Sequence, residues 1–165
     1  MSLPREIALD DEQMEDMYQN DWNCRIATVD AKGRINLTPM WFGWAADKIF
    51  IAARGQKVVN LRRNPNCTIL IDRNEKFPEL QAIMMQGTAR VLESAEEEAQ
   101  EVGLEEARAQ MGRKYNGGHG QPPADDPPPN AATARGKNRR WIVFTPDKTV
   151  TWDNFKLSRL SNASG

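Results

Sequence analysis

The sequence is poor in the residues that most often carry catalysis or cross-links: its 165 residues hold one histidine and two cysteines. His119 stands alone in a Gly/Pro-rich stretch, so a Ser-His-Asp or Cys-His mechanism has no anchored base. A metal site lacks soft ligands for the same reason. Cys24 and Cys67 have no CxxC spacing and read as reduced, buried small residues of a cytoplasmic protein. Long apolar runs are missing too. "IFIAA" and "TILI" are far too short to cross a bilayer, and "MSLPREIALDDEQ" has no basic stretch followed by an apolar one. Neither a membrane span nor a signal peptide is therefore expected. Charge of one sign is also absent: Lys+Arg 22 against Asp+Glu 23 leaves a formal net charge of −1. That argues against nucleic acid or an anionic lipid surface as a partner. There is no GxGxxG after a strand, no GxxxxGK[ST] and no GxSxG. Any catalysis falls to a bound cofactor.

What is present is a run of short strands. Residues 1–21 read as an N-terminal helical segment with Asp10 or Asp11 as N-cap. "CRIATV", "INLTPMWFGW" and "IFIAA" follow as strands joined by turn signals at hairpin distances, with Gly33 able to take a positive φ in the first turn. A short helix from Gln56 to Arg63 comes next, with Val58, Val59 and Leu61 facing the core, and Asn64-Pro65 ends it. "CTILID" and "QAIMMQGTARVL" are further strands, and Gly87 marks a bulge or a close backbone approach. Ser94 to about Tyr115 turns helical, with Ser94 as cap and a carboxylate-rich, solvent-facing surface. Residues 116–138 read as a flexible Gly/Pro-rich loop. "RWIVFTP" and "KTVTWDNF" read as a last hairpin, and residues 158–165 as a frayed tail. Closely spaced strands with few helices favour one mainly β domain, an antiparallel barrel of about six to seven strands.

"AARGQKVVNLRRNP" crowds Arg54, Lys57, Arg62 and Arg63 where a strand hands over to that short helix. Either this is solvated punctuation or an anion docks there. Amides opening a helix add positive potential, so the position suits a phosphate.

The pieces "ATVDAKGRINLTPMWF", "KVVNLRRNP", "MMQGTARVL" and "WIVFTPDKTVTWDNFKL", in this order, resemble the pyridoxamine-phosphate-oxidase-like split β-barrel superfamily, closest to its flavin- and deazaflavin-dependent oxidoreductases. The resemblance covers roughly residues 22–92 and 140–157. It implies a homodimeric split barrel with an isoalloxazine-type ring held between subunits. By the same resemblance Thr38, Pro39, Met40 and Trp41 lie beside the ring, and Ala53, Arg54 and Lys57 meet its phosphate. Gln86 approaches the ring from the partner chain, and Trp152 lies at the site rim or in the core. Coenzyme F420 is the first cofactor implied and FMN the second, with Arg62 and Arg63 facing either a longer anionic tail or solvent. The tail "WDNFKLSRLSNASG" lacks the Arg/His pair of the vitamin oxidases, which argues against pyridoxine-phosphate oxidation. The implied reaction is hydride transfer between F420 or FMN and a small organic substrate, with residues 116–138 as a lid or an idle insertion. The alternative is a non-enzymatic flavin, haem or tetrapyrrole binder on the same barrel.

Overall fold

Asp10 opens the first helix in the computed structural model, which describes residues 5–116 and 139–163. Its carboxylate accepts from the Gln13 amide at 2.9 Å, and the Gln13 side chain returns a bond to the Asp10 amide. This reciprocal cap satisfies two otherwise orphaned donors of helix α1, Asp11–Asn20. The sheet follows as β1 (Cys24–Val29), β2 (Ile35–Met40), β3 (Gly43–Ala45) and β4 (Lys48–Ala53), then helix α2 (Gln56–Arg63). After α2 come β5 (Asn66–Arg73), β6 (Gln81–Val91), helices α3 (Ala95–Gln100) and α4 (Leu104–Asn116), β7 (Arg140–Asp153) and helix α5 (Asn154–Ala163).

All strand pairs are antiparallel, in the order β2-β1-β5-β6-β7-β4-β3. The first and last of these, β2 and β3, are separated in the chain only by Trp41 and Phe42. Two residues can join opposite edges of a seven-stranded sheet only if the sheet curls, and it does, into a half-barrel of the split type. Trp41–Phe42 is therefore the seam. Period-two alternation fills the interior: Ile26, Ile69, Ile71, Ile83 and Met85 are all inaccessible to solvent, as is Phe42 from the seam. A second apolar layer, with Leu104, Ala107 and Met111 of α4, packs over Phe50, Trp141 and Val143. Among the described residues no helix is long and apolar enough to cross a membrane.

Several readings change. "INLTPMWFGW" is two strands broken at the seam. The expected last hairpin is the single strand β7. Pro146-Asp147 looks like a turn locally, but Pro146 lies opposite Gly87, where the β6–β7 register shifts and Asp147 bulges out. A Cβ on Gly87 would sit 2.1 Å from the Thr145 carbonyl oxygen, so glycine is what lets the strands pass. The single helix expected over 94–115 breaks into α3 and α4 around Gly103, whose φ is +93°. Within its "EEEAQEVGLEE" surface one carboxylate turns inward: buried Glu101 pairs with Lys48 at 2.7 Å and with Arg90. Helix α5 runs to Ala163, and residues 164–165 of the expected frayed tail lie outside the described residues. The loop 116–138 lies outside the described residues, apart from the end of α4.

Candidate functional site

The turn from β4 into α2 depends on Gly55. Its φ of 78° and ψ of −149° fall in a region open essentially to glycine alone, and nothing lies within 4 Å of where a Cβ would project. No side chain caps the helix that follows. Ala53, just before, is buried. Arg54 is exposed and makes no ion pair among the described residues. Lys57 reaches only back to the Arg54 carbonyl, at 3.4 Å. Burial, and then the charge of Arg54, hold the Lys57 amine below the usual lysine range. Two cations at an uncapped helix start, with the Arg54 guanidinium disfavouring the charge on Lys57, form a place where an anion is favoured.

The two later arginines are already committed. Arg62 forks onto Glu93 with two bonds of 2.7 Å, and Arg63 donates to the Val29 carbonyl at 2.7 Å. Sequence reasoning could not see Glu93, which lies 31 residues on. Nor does Val59 face the core. It is half exposed, and Asn60 takes the buried place beside Val58 and Leu61. Asn60 accepts from Gln56 at 2.8 Å and donates to the Thr28 hydroxyl at 3.0 Å, tying the start of α2 to β1.

Gln56 lines a cavity of about 310 Å³ with Asp30, Arg34, Ile35 and Asn36, so the helix start opens onto the beginning of β2. Along β2 the register places Asn36, Thr38 and Met40 on the interior face, opposite Thr28, Ile26 and Cys24. Ile35, Leu37 and Pro39 face outward, and Pro39 is tolerated because β2 is an edge strand. The Thr38 hydroxyl is buried with no hydrogen-bond partner, an arrangement that costs free energy unless a partner arrives. Trp41 lies at the seam, partly exposed, with its ring stacked on Tyr115 at 4.3 Å.

Gln86 and Trp152 are elsewhere. Gln86 is exposed on the outer sheet face, opposite Lys148, in a groove of about 490 Å³ with Ala27, Val29 and Thr68. Trp152 is half-buried near the end of β7, opposite Ala82. Within one chain Gln56 alone of the β4–α2 turn lines the cavity at the start of β2; Ala53, Arg54 and Lys57 flank it in sequence without lining that cavity. Gln86, Trp152 and the residues Thr38 to Trp41 also lie outside its lining.

The family model for pyridoxamine 5'-phosphate oxidase matches residues 10–153. The chain belongs to the pyridoxamine 5'-phosphate oxidase family. Solved structures in this fold include a conserved hypothetical protein of Mycobacterium tuberculosis (22% identity, 96% of this chain and 93% of that one, TM-score 0.76). A haem storage protein of Vibrio cholerae, HutZ, shares 18% identity over 86% of this chain and 94% of its own, with a TM-score of 0.63. An F420 reductase shares 18% over 82% of this chain and 94% of its own, with a TM-score of 0.56. No curated protein matches in sequence. Identities this low speak for the fold alone.

Sequence reasoning missed the residues that hold the oxidase-family seam in place. The Tyr115 hydroxyl accepts from the Phe42 amide at 2.9 Å and lies within reach of the Trp22 and Phe42 carbonyls, at 2.9 and 3.1 Å. The Lys114 amine donates to the carbonyls of Tyr18, Asp21 and Phe42 at 3.0, 3.2 and 3.4 Å. Burial lowers its pKa to about 8, with Asp21 and Cys24 acting against that shift. The only local signal was the pair "KY" at the end of a helical pattern, which says nothing about a contact more than 70 residues away in sequence.

Proposed function

We propose that this chain holds a phosphate-bearing, isoalloxazine-type coenzyme at the β4–α2 turn and along β2, and that it serves hydride transfer to a small organic substrate. The observation that carries this reading is the uncapped, doubly basic helix start in a chain of this family. Arg54, Lys57 and the first amides of α2 hold the phosphate, and Ala53 contributes only backbone. The unpartnered Thr38 hydroxyl takes a hydrogen bond with the coenzyme, and the backbone of Pro39, Met40 and Trp41 lines the ring. The coenzyme, when bound, supplies the redox chemistry; the chain binds, orients and excludes water.

Two coenzymes share this head group. F420 follows from the branch that "NLRRNP" resembles. FMN is favoured by a specific observation: Arg62 is paired with Glu93, which leaves fewer unneutralised cations along α2 for a longer anionic tail.

The outer face of β2 supports a homodimer. Ile35 and Leu37 are 73% and 62% exposed there, a poor arrangement for a monomer, and Ile35 lines the groove that holds Gln86. Association through this face brings Gln86, and Trp152 at the rim, to the partner's coenzyme.

The test is titration of the purified chain with FMN and with F420, followed by flavin absorbance and deazaflavin fluorescence. Saturable binding of one of them, with turnover of an organic acceptor, is expected. Binding of neither overturns the proposal, and binding without turnover of any acceptor limits the chain to storage.

A further inference from the structure

The seam Trp41–Phe42 is held more rigidly than a two-residue connection needs. Tyr115 pins both the Phe42 amide and the neighbouring carbonyls, and Lys114 adds a bond to the Phe42 carbonyl while its amine sits 3.8 Å from the centre of the Phe42 ring. The Trp41 ring lies parallel to Tyr115, 4.3 Å away with 4° between planes, and Trp22 meets it edge-on at 5.9 Å. Trp41 nevertheless stays 42% exposed. A large aromatic ring with one face covered, one edge buttressed and its backbone pinned cannot turn away from solvent. It offers a fixed π surface three residues beyond Thr38, at the far end of the strand that carries the coenzyme.

We infer that the open face of Trp41 is the binding shelf for a planar, conjugated substrate, with Tyr115 as the residue that positions it. Offset stacking on a preorganised indole favours flat π-systems over saturated rings of equal charge and size, because only a flat ring keeps contact over the whole face. Tyr115 acts from behind: its ring sets the plane of the indole and its hydroxyl fixes the seam. The substrate's role as acceptor rests on the coenzyme reading above, while the shelf itself is testable without coenzyme.

The experiment measures binding of benzoate and of cyclohexanecarboxylate, a flat and a saturated six-membered ring with the same carboxylate, to the full chain by ligand-observed NMR. The flat probe is expected to bind at least about tenfold more tightly than the saturated one. Trp41→Leu should abolish that preference, and Trp41→Phe, which keeps an aromatic face, should restore most of it. Tyr115→Phe keeps the stacked ring but removes the pins, and should lower the preference about threefold while the chain stays folded. Equal binding of both probes to the unaltered protein overturns the inference. So does a preference that survives Trp41→Leu, or a Trp41→Leu variant whose only change is loss of self-association, which would make the shelf a contact between copies. Because no coenzyme is added, failure of the FMN and F420 titrations would strike the coenzyme reading and leave this result legible.

Discussion

At the scale of single residues, burial decides which groups can respond to their surroundings. The Cys24 thiol is fully buried, and that burial raises its pKa from 9.0 to about 12. An unfolded chain loses this proton near 9.0, while the folded chain keeps it up to about 12. Stability is therefore fully present below the lower value and is lost as pH rises towards the upper one. Cys67 and Tyr18, both raised to about 12, act in the same direction, and Lys114 acts against them. Between about pH 8 and about pH 11 the melting temperature of the unaltered protein should fall further than that of Cys24→Ala. Equal slopes would contradict the burial argument. The doubly basic helix start at Arg54 and Lys57 was legible because strand, cations and helix are neighbours in sequence. The commitment of Arg62 was not, because its partner Glu93 comes from the far side of β5 and β6.

At the scale of elements, the longest strand pair depends on one absent side chain. Gly87 lies opposite Pro146, and a Cβ there would meet the Thr145 carbonyl oxygen at 2.1 Å. Gly87→Ala should cost about 1–3 kcal/mol in denaturant unfolding, since backbone on both strands would have to shift. An unchanged midpoint would mean that the bulge relaxes freely. Gly87 could be read from the sequence as a special position. The strand running through Pro146-Asp147 could not, because those residues signal a turn locally and become a bulge only through their partner 59 residues earlier. Val59 and Asn60 show the same limit within α2. Both positions fit the helix, but only the hydroxyl of Thr28, from a different strand, turns the polar one inward.

At the scale of the whole molecule, the curled sheet leaves an apolar strip outside as well as inside. The strand count and the antiparallel barrel followed from closely spaced alternating runs; the seam and its latch from α4 did not, because both are contacts between distant segments. If Ile35 and Leu37 form the interface between two copies, Leu37→Lys should give a folded monomer by light scattering and should weaken coenzyme uptake. A dimer with unchanged uptake would remove that interface. Such an outcome would leave the proposal for the β4–α2 turn, which lies within one chain, untouched.

The central claim is that an anionic head group rests against Arg54 and Lys57. The direct measurement is calorimetric titration of FMN and of F420 into the Arg54→Glu/Lys57→Glu double variant, with Arg62→Ala as control. Heats should vanish, or affinity fall at least about a hundredfold, in the double variant, since two attractions become repulsions. The control should bind as the unaltered protein does. Undiminished affinity in a folded double variant would contradict the account.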